Sequence, residues 1–336
     1  MGIALAEARK SLGETSPNPA VGAILVARNH VLARGHHRQA GKPHAEVECL
    51  RDVRGKLPKE STLYVTLEPC STTGRTGPCT DEIIRKGIRS VAIGASDPNP
   101  RHRGTGIEIL RNAGIDVRTG VLAEECTALN EAFNKWIATG IPFVIAKCAM
   151  SLDGRLSRRK SESRWLTSPA ARMHAQKLRA QVDAVLVGAQ TIRSDNPRLT
   201  VRSRAPTRQP TRVVITRSGK LPPGARVLTD RFSKQTRVYQ NEPLATVLAD
   251  LGAKNITSVL VEGGGDVLGQ ALDERLIDKV QVYVAPIFTG GPTPAFSGQG
   301  AVRTNEAARL ERIRFERIGR DLCISGYPKY TVAAAA

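Results

Sequence analysis

Twice along this chain, short apolar runs alternate with stretches whose apolar residues recur at helical spacing. In the first half AVGAILVA (20–27), TLYVTL (62–67), SVAIGA (90–95) and IDVRTG (115–120) have the length and content of strands. Between them IALAEARKSL (3–12), HAEVECLRDV (44–53), PCTDEIIRKG (78–87) and GTGIEILRNAG (104–114) read as helices, the last two stopped by Gly87 and Gly114. AEECTALNEAFNKWIATG reads as one long helix over 123–140. Strands joined by helices predict an α/β domain with three layers about a central sheet.

TGIPFV (139–144) marks a plausible boundary, after which the alternation starts again. FVIAKCAM, AVLVG, RVVIT, SVLVEGG and DKVQVYVAPIF read as strands; SPAARMHAQKLRAQ, PLATVLADLG and DVLGQALDERL read as helices. The Pro-rich, polar stretches RLTVRSRAPTRQPTR and RSGKLPPGAR are loops. A length of 336 residues exceeds one ordinary core. Two α/β domains are therefore expected, over 1–140 and 141–330. The net charge of +19 is uneven: 19 basic against 15 acidic residues up to 140, then 31 against 16. A basic half attracts anions, phosphorylated metabolites or nucleic acid alike, and solubility explains it equally well.

No run reaches the ~18–20 apolar residues of a membrane span, and the N-terminus lacks a signal-peptide core. Gly2 does not complete a myristoylation motif, because Leu5-Ala6 does not fit it. Six cysteines spread over this length do not form a disulfide framework, so a reducing, cytoplasmic location is expected. Cys49, Cys126 and Cys148 sit in apolar periodic segments and read as core residues.

The other motif-bearing cysteines carry chemistry. Catalytic zinc takes three protein ligands and keeps a fourth position open, and it lowers the pKa of a water it holds to about 7. His44, Cys70 and Cys79 supply three such ligands. Glu46, two residues after the histidine, is placed to move protons and is not expected to be a ligand. This is the zinc-deaminase pattern H-x-E followed by P-C-x-x-C, with eight residues between the cysteines in place of two. Pro43 is expected to start a helix that aims His44 and Glu46 from its first turn. Cys79 is expected to open the next helix after Pro78, where the N-terminal partial charge favours a thiolate. Gly74, Arg75 and Gly77 in the intervening loop suit a turn that approaches a ligand.

In this order TSPNPAVGA, GKPHAEVE, TLYVTLEPCSTTGRTGPC and DPNP resemble the deaminase domain of the bifunctional riboflavin-biosynthesis deaminase–reductases. In that family eight residues between the cysteines are usual. The resemblance implies a cytidine-deaminase-like fold, a diaminopyrimidine ribosyl phosphate substrate, and a base-binding role for Asn18 and its loop. Many members have histidine where this chain has Thr72 and proline where it has Gly77.

The second half alone is weaker. VEGGG (261–265) runs from strand to helix, where glycines let backbone N–H groups approach an anion. It is not a dinucleotide fingerprint, because Leu268 stands at the third glycine position. The resemblance continues, however, in AKCAMSLDGRLS, SESRWLTSPAAR, LRAQVDAVLVGAQTIRSDNPRLTVR and LVEGGGDVLGQALDERLIDKVQVYVAPIFTGG. These look like the family's reductase domain, which has a dihydrofolate-reductase-like fold. The likeness implies substrate contacts at Ser163, Arg179, Leu199, Arg202 and Glu262. It implies NADPH contacts at Ala149, Trp165, Thr191, Asp195 and the segment starting at Gly264 and Gly265, with Lys147 and Asp153 bordering the same cleft. Arg179 and Arg202 are suited to hold the sugar phosphate and Glu262 to anchor hydroxyls. The chain departs from the family in Ser161, where members often have glycine, and in a shorter 230–255 region.

The expectation is a bifunctional enzyme with Zn²⁺ and NADPH, acting on a phosphorylated pyrimidine, with no nucleic-acid or membrane partner and its oligomeric state left open. Two other readings stand beside it. One is a nucleic-acid deaminase with a basic RNA-binding half, against which base-reading aromatics are scarce. The other is a second half that only binds or regulates, in which case NADPH is never oxidised.

Overall fold

The computed structural model describes residues 1–55, 57–72, 77–100, 102–156, 165–202 and 208–331. The chain divides into two compact units, Met1–Gly140 and Ile141–Ala336. Unit 1 runs α1 (Gly2–Arg9), β1 (Gly22–Ala27), β2 (His30–His36), α2 (Ala45–Leu50), β3 (Thr62–Leu67), α3 (Cys79–Arg85), β4 (Ser90–Ala95), α4 (Thr105–Asn112), β5 (Asp116–Arg118), α5 (Ala123–Leu129) and α6 (Glu131–Thr139). Its sheet has the order β2-β1-β3-β4-β5, with β1 antiparallel to both neighbours and β3, β4 and β5 parallel.

Period-2 alternation explains the layers. Ala23 and Leu25 of β1 join a core with Cys49 and Leu50 of α2, Ile83 of α3 and Leu110 of α4. Gly22 points the other way, where a Cβ would lie 2.0 Å from the Ala4 carbonyl oxygen of α1. On β2, Gly35 lets α2 approach closely, since a Cβ there would meet the Cys49 amide nitrogen at 2.3 Å.

Two features of unit 1 differ from the sequence reading. β2 was not foreseen; its exposure alternates, but its residues, HVLARGH, are mostly polar or small. The long helix over 123–140 is two helices broken at Asn130. The Asn130 side chain accepts from the Ala20 amide at 2.8 Å and donates to the Ala20 carbonyl at 2.9 Å. That amide pairing across the domain competes with helix continuity at a residue prone to such bonds.

Unit 2 runs β6 (Phe143–Ser151), α7 (Pro169–Gln181), β7 (Ala184–Gly188), α8 (Ala189–Asp195), β8 (Thr211–Thr216), α9 (Arg226–Thr229), β9 (Thr236–Gln240), α10 (Leu244–Ala253), β10 (Ser258–Gly263), α11 (Gly265–Asp273), β11 (Lys279–Ala285), β12 (Arg309–Ile318) and β13 (Asp321–Lys329). The sheet order is β12-β13-β11-β6-β10-β7-β8-β9. From β11 to β9 all neighbours are parallel, and β12 and β13 add an antiparallel hairpin at one edge. β10 inserts between β6 and β7, which come earlier in the chain. Ligands bind outside the carboxyl ends of strands at such switch points. Leu186, Val213, Leu248, Val259, Val261 and Leu268 fill the core behind that edge. α8, α9, β9 and the β12–β13 hairpin were not foreseen. β12 reads RLERIRFERI, mostly exposed, and a register shift between Glu311 and Arg314 breaks its alternation. Among the described residues no helix is long and apolar enough to cross a membrane.

Candidate active sites

In unit 1 three sequence-predicted ligands converge. His44 is the N-cap of α2 with extended backbone (φ −72°, ψ 166°), so the helix begins two residues later than the position of Pro43 suggested. Cys70 follows β3, and Cys79 opens α3 behind Pro78, as the sequence led us to expect. His44 Nδ1 lies 3.3 Å from Cys79 Sγ and 3.4 Å from Cys70 Sγ, and the three donor atoms fall within 4.8 Å of one another. The Cys79 amide donates to Cys70 Sγ at 3.4 Å. Hydrogen bonds from the Cys79 thiol and from His44 pull Cys70 down to about 4 against the opposing effect of burial. Cys79 goes the other way, because it keeps the proton that the two sulfurs share. Two sulfurs and one imidazole so placed are the donor set zinc favours.

Glu46 stands beside this cluster and not in it. The residue is only 3 % exposed. Burial, with the Cys70 charge adding to it, pushes its carboxyl up to about 7. A group at that value can both take and give a proton near neutrality. Cys49, Cys126 and Cys148 are buried, and burial pushes their thiols up to about 12, 11 and 12, so they are inert core residues.

Asn18 donates through Nδ2 to His37 Nε2 at 3.1 Å when His37 carries its proton on Nδ1, which then donates to the Pro43 carbonyl at 3.0 Å. His37 is buried, burial lowers its pKa, and its ring meets the His44 ring edge-on at 5.2 Å. The sequence reading missed both His37 and Asn130, which fixes Ala20 two residues beyond Asn18. An ordinary histidine and an asparagine inside a helical pattern gave no signal. Thr72 and Gly77 are exposed at the ends of the loop between the cysteines. Gly74 and Arg75 lie outside the described residues, as does Ser163.

In unit 2 a cleft of about 2800 Å³ opens at the carboxyl ends of the parallel strands. Ala149 and Lys147 reach it from β6, Glu262 from the end of β10, and Arg179 from the last turn of α7. Thr191 and Asp195 line it from α8, and Leu199 and Arg202 from the following segment. Trp165, Gly264 and Gly265 complete its predicted walls; the Arg172 guanidinium stacks 4.9 Å from the Trp165 ring centre. Asp153 holds the rim, accepting from the Thr289 and Gly290 amides at 3.1 and 2.8 Å.

At the cleft's centre Arg179 makes a two-pronged ion pair with Glu262, Nε to Oε1 at 2.8 Å and Nη2 to Oε2 at 2.7 Å. Its Nη1 donates to the Thr200 carbonyl at 2.9 Å. Burial opposes ionisation of Glu262, but Arg179, Lys147 and Arg202 outweigh it and hold the carboxyl at about 2. Arg179 therefore orients Glu262 and is itself tied to the Thr200 carbonyl. The glycines divide their work too. The Gly264 amide donates to Thr191 Oγ1 at 3.2 Å, whereas a Cβ on Gly265 would lie 2.3 Å from the Pro294 carbonyl oxygen.

Comparison with known proteins now bears on both sites. Residues 1–95 match the family model for the cytidine and deoxycytidylate deaminase zinc-binding region, and residues 142–324 match the RibD C-terminal domain. The riboflavin biosynthesis protein RibD of Bacillus amyloliquefaciens is 38% identical over 355 residues, covering 98% of this chain and 95% of that one. The chain belongs to the RibD family.

Solved structures agree over the same span. Acinetobacter baumannii RibD aligns with a TM-score of 0.89 at 34% identity, covering 98% of this chain and 97% of that one. A Thermotoga maritima diaminohydroxyphosphoribosylaminopyrimidine deaminase/5-amino-6-(5-phosphoribosylamino)uracil reductase aligns at 0.87 with 35% identity and the same coverage. This RibD-family chain thus joins a cytidine-deaminase-like fold to the dihydrofolate-reductase-like RibD C-terminal fold. It is a bifunctional enzyme of riboflavin biosynthesis, a zinc-dependent deaminase and an NADPH-dependent reductase that acts on a small molecule.

Proposed function

We propose that residues 1–140 deaminate 2,5-diamino-6-ribosylamino-4(3H)-pyrimidinone 5′-phosphate and that residues 141–330 then reduce its ribosyl group to ribityl. The observation that carries this reading is the convergence of His44, Cys70 and Cys79 beside buried Glu46. Those three side chains would hold zinc, which supplies an activated water for attack on the amine-bearing ring carbon. Glu46 would take one proton from the attacking water and hand it to the ring nitrogen, then take the proton of the hydroxyl so added at the ring carbon and give it to the amine, which leaves as ammonia as the carbonyl forms. Asn18, oriented by His37, hydrogen-bonds the base.

In the second unit Glu262, fixed by Arg179, accepts from the hydroxyls of the ring-opened sugar. Arg202 and the free N–H groups of Arg179 take the phosphate. Ala149, Trp165, Thr191, Asp195, Gly264 and Gly265 seat the cofactor, and Leu199, with Ser163, borders the substrate. Bound there, NADPH would supply the hydride that C1′ of the opened sugar accepts, with a proton from solvent going to the attached nitrogen; the protein's part is to hold ring and carbon in line. No nucleic acid is involved, and six cysteines outside any disulfide fit a cytoplasmic enzyme.

The test is mass spectrometry of the diaminopyrimidine ribosyl phosphate after incubation with zinc-loaded protein, with and without NADPH. Exchange of an amine for oxygen without NADPH, and two further hydrogens with it, is the expected result. Unchanged substrate with zinc bound would overturn the assignment.

A further inference from the structure

Glu68 takes no part in the chemistry above, yet its carboxylate is among the most heavily bonded in unit 1. It follows β3 and precedes Cys70 by two residues, and it is only 5 % exposed. Oε2 accepts from the Asp97 and Gly104 amides at 3.0 and 3.1 Å. Oε1 accepts from the Gly106 and Ile107 amides at 3.1 and 3.4 Å. One side chain thus ties both ends of the 97–104 loop and the first turn of α4.

Helix α4 has no cap from its own N-cap residue, Gly104. Its first amides need acceptors, and a negative charge at a helix N-terminus is favoured. Glu68 supplies both from another element. The approach is close: a Cβ on Gly106 would stand 2.2 Å from the Pro69 carbonyl oxygen. Within the loop, Asp97 Oδ1 accepts from the Asn99 amide at 2.8 Å, and the His102 and Arg103 amides both donate to the Asn99 carbonyl at 3.0 Å. Asp97, Asn99, His102, Arg103 and Gly104 are therefore tied to one another or to Glu68, next to the backbone that carries Cys70.

We infer that Glu68 is the positioning residue of the deaminase site, setting the 97–104 loop as a substrate-binding wall beside Cys70 through four backbone amides. The loop offers Asn99, His102 and Arg103, a polar and basic set suited to the anionic ribosyl phosphate end of the substrate and not to the ring carbon. The inference rests on the deaminase reading of the site.

The test is Glu68→Gln in the full chain, zinc-loaded, with four readouts: zinc content, amide exchange over 97–107, deamination kinetics, and reduction of separately supplied deaminated substrate. Glutamine turns a donor toward two of the four amides. Zinc and reduction should persist and the four amides should exchange faster. KM for deamination should rise about tenfold while kcat moves less than about threefold, the pattern of lost uniform binding. Glu68→Asp keeps the charge but cannot span both ends, and should move KM the same way by less; it decides the matter if the glutamine variant does not fold. Loss of zinc with an unchanged loop, or an unchanged KM with a loosened one, would overturn the inference. A wild-type chain that binds zinc and deaminates nothing sinks the deaminase reading instead. Exchange at the four amides then still decides whether Glu68 holds the loop.

Discussion

Replacing Arg179 by methionine should cost stability as well as reduction, and by an amount that depends on pH. The guanidinium and the Glu262 carboxylate are 10 % and 11 % exposed and meet at 2.7 Å. Breaking a buried pair by removing one partner costs about 3–5 kcal/mol, because a charge is left uncompensated. Titration gives a similar size. Glu262 falls from its ordinary 4.5 to about 2, which at ~1.36 kcal/mol per pH unit corresponds to about 3 kcal/mol. In the wild type that contribution is complete above pH 4.5 and is lost as pH falls through about 2. In the variant only Lys147 and Arg202 remain to offset burial, so Glu262 takes up its proton at a higher pH. The deficit is then largest at neutrality and narrows toward pH 4. Urea unfolding followed by Trp165 fluorescence, with Trp136→Phe in both proteins, isolates the second unit and avoids a two-unit transition. Arg179→Met with Glu262→Gln should recover most of the loss. A deficit below about 1 kcal/mol, one that does not vary with pH, or a double variant no better than the single one would refute the argument.

Glu46→Gln should keep its zinc and its reductase activity while deamination falls by about 10²–10⁴, the usual worth of a positioned acid–base group; undiminished deamination would remove Glu46 from the proton path. Stripping zinc with a chelator should abolish deamination and leave reduction intact, measured on the same sample with each substrate supplied separately. Gly269→Ala would place a Cβ 1.0 Å from the Ser297 carbonyl oxygen, and overpacking of that kind should lower the urea stability of the second unit by about 1–3 kcal/mol. Asp153→Ala frees the Thr289 and Gly290 amides at the cleft rim; NADPH titration by fluorescence should show weaker binding with unchanged unfolding, and an unchanged Kd would confine Asp153 to loop structure.

What could be read from the sequence was what local periodicity and fixed spacing carry. Buried strands such as Ala184–Gly188 and Ser258–Gly263 are built on short apolar runs, AVLV and VLV, and a run of that kind looks the same in the sequence and in the sheet. The unforeseen strands lie at or next to sheet edges: β2, β9 and β12 are outermost, and β13 is the partner of β12. Arg309–Ile318 is charged along most of its length, Thr236–Gln240 sets only Val238 and Tyr239 among polar residues, and neither shows an apolar run to detect. The three donors of the metal centre were legible because proline and glycine flank them and Glu46 stands at a fixed offset. His37 and Asn130 were not, because each matters through a partner far off in sequence: Asn18 for one, Ala20 for the other.

The glycine cluster shows where such reading stops. VEGGG misses the dinucleotide fingerprint by one position, with Leu268 where the third glycine belongs, so the spacing alone does not mark it as a cofactor segment. In the fold Leu268 is fully buried in the core, so its place is taken by packing. The close approach that a third glycine normally permits is made one residue later, at Gly269, against Ser297. Gly265 makes a second close approach, to Pro294, while Gly264 faces Thr191 across the cleft. A helix turn shifts its contact face by about 100° per residue. Moving the glycine from 268 to 269 therefore turns its bare face from the sheet toward the 294–297 segment. The same glycine-rich composition thus serves a different neighbour, and a segment that fails the spacing rule still lines the cleft of the second unit.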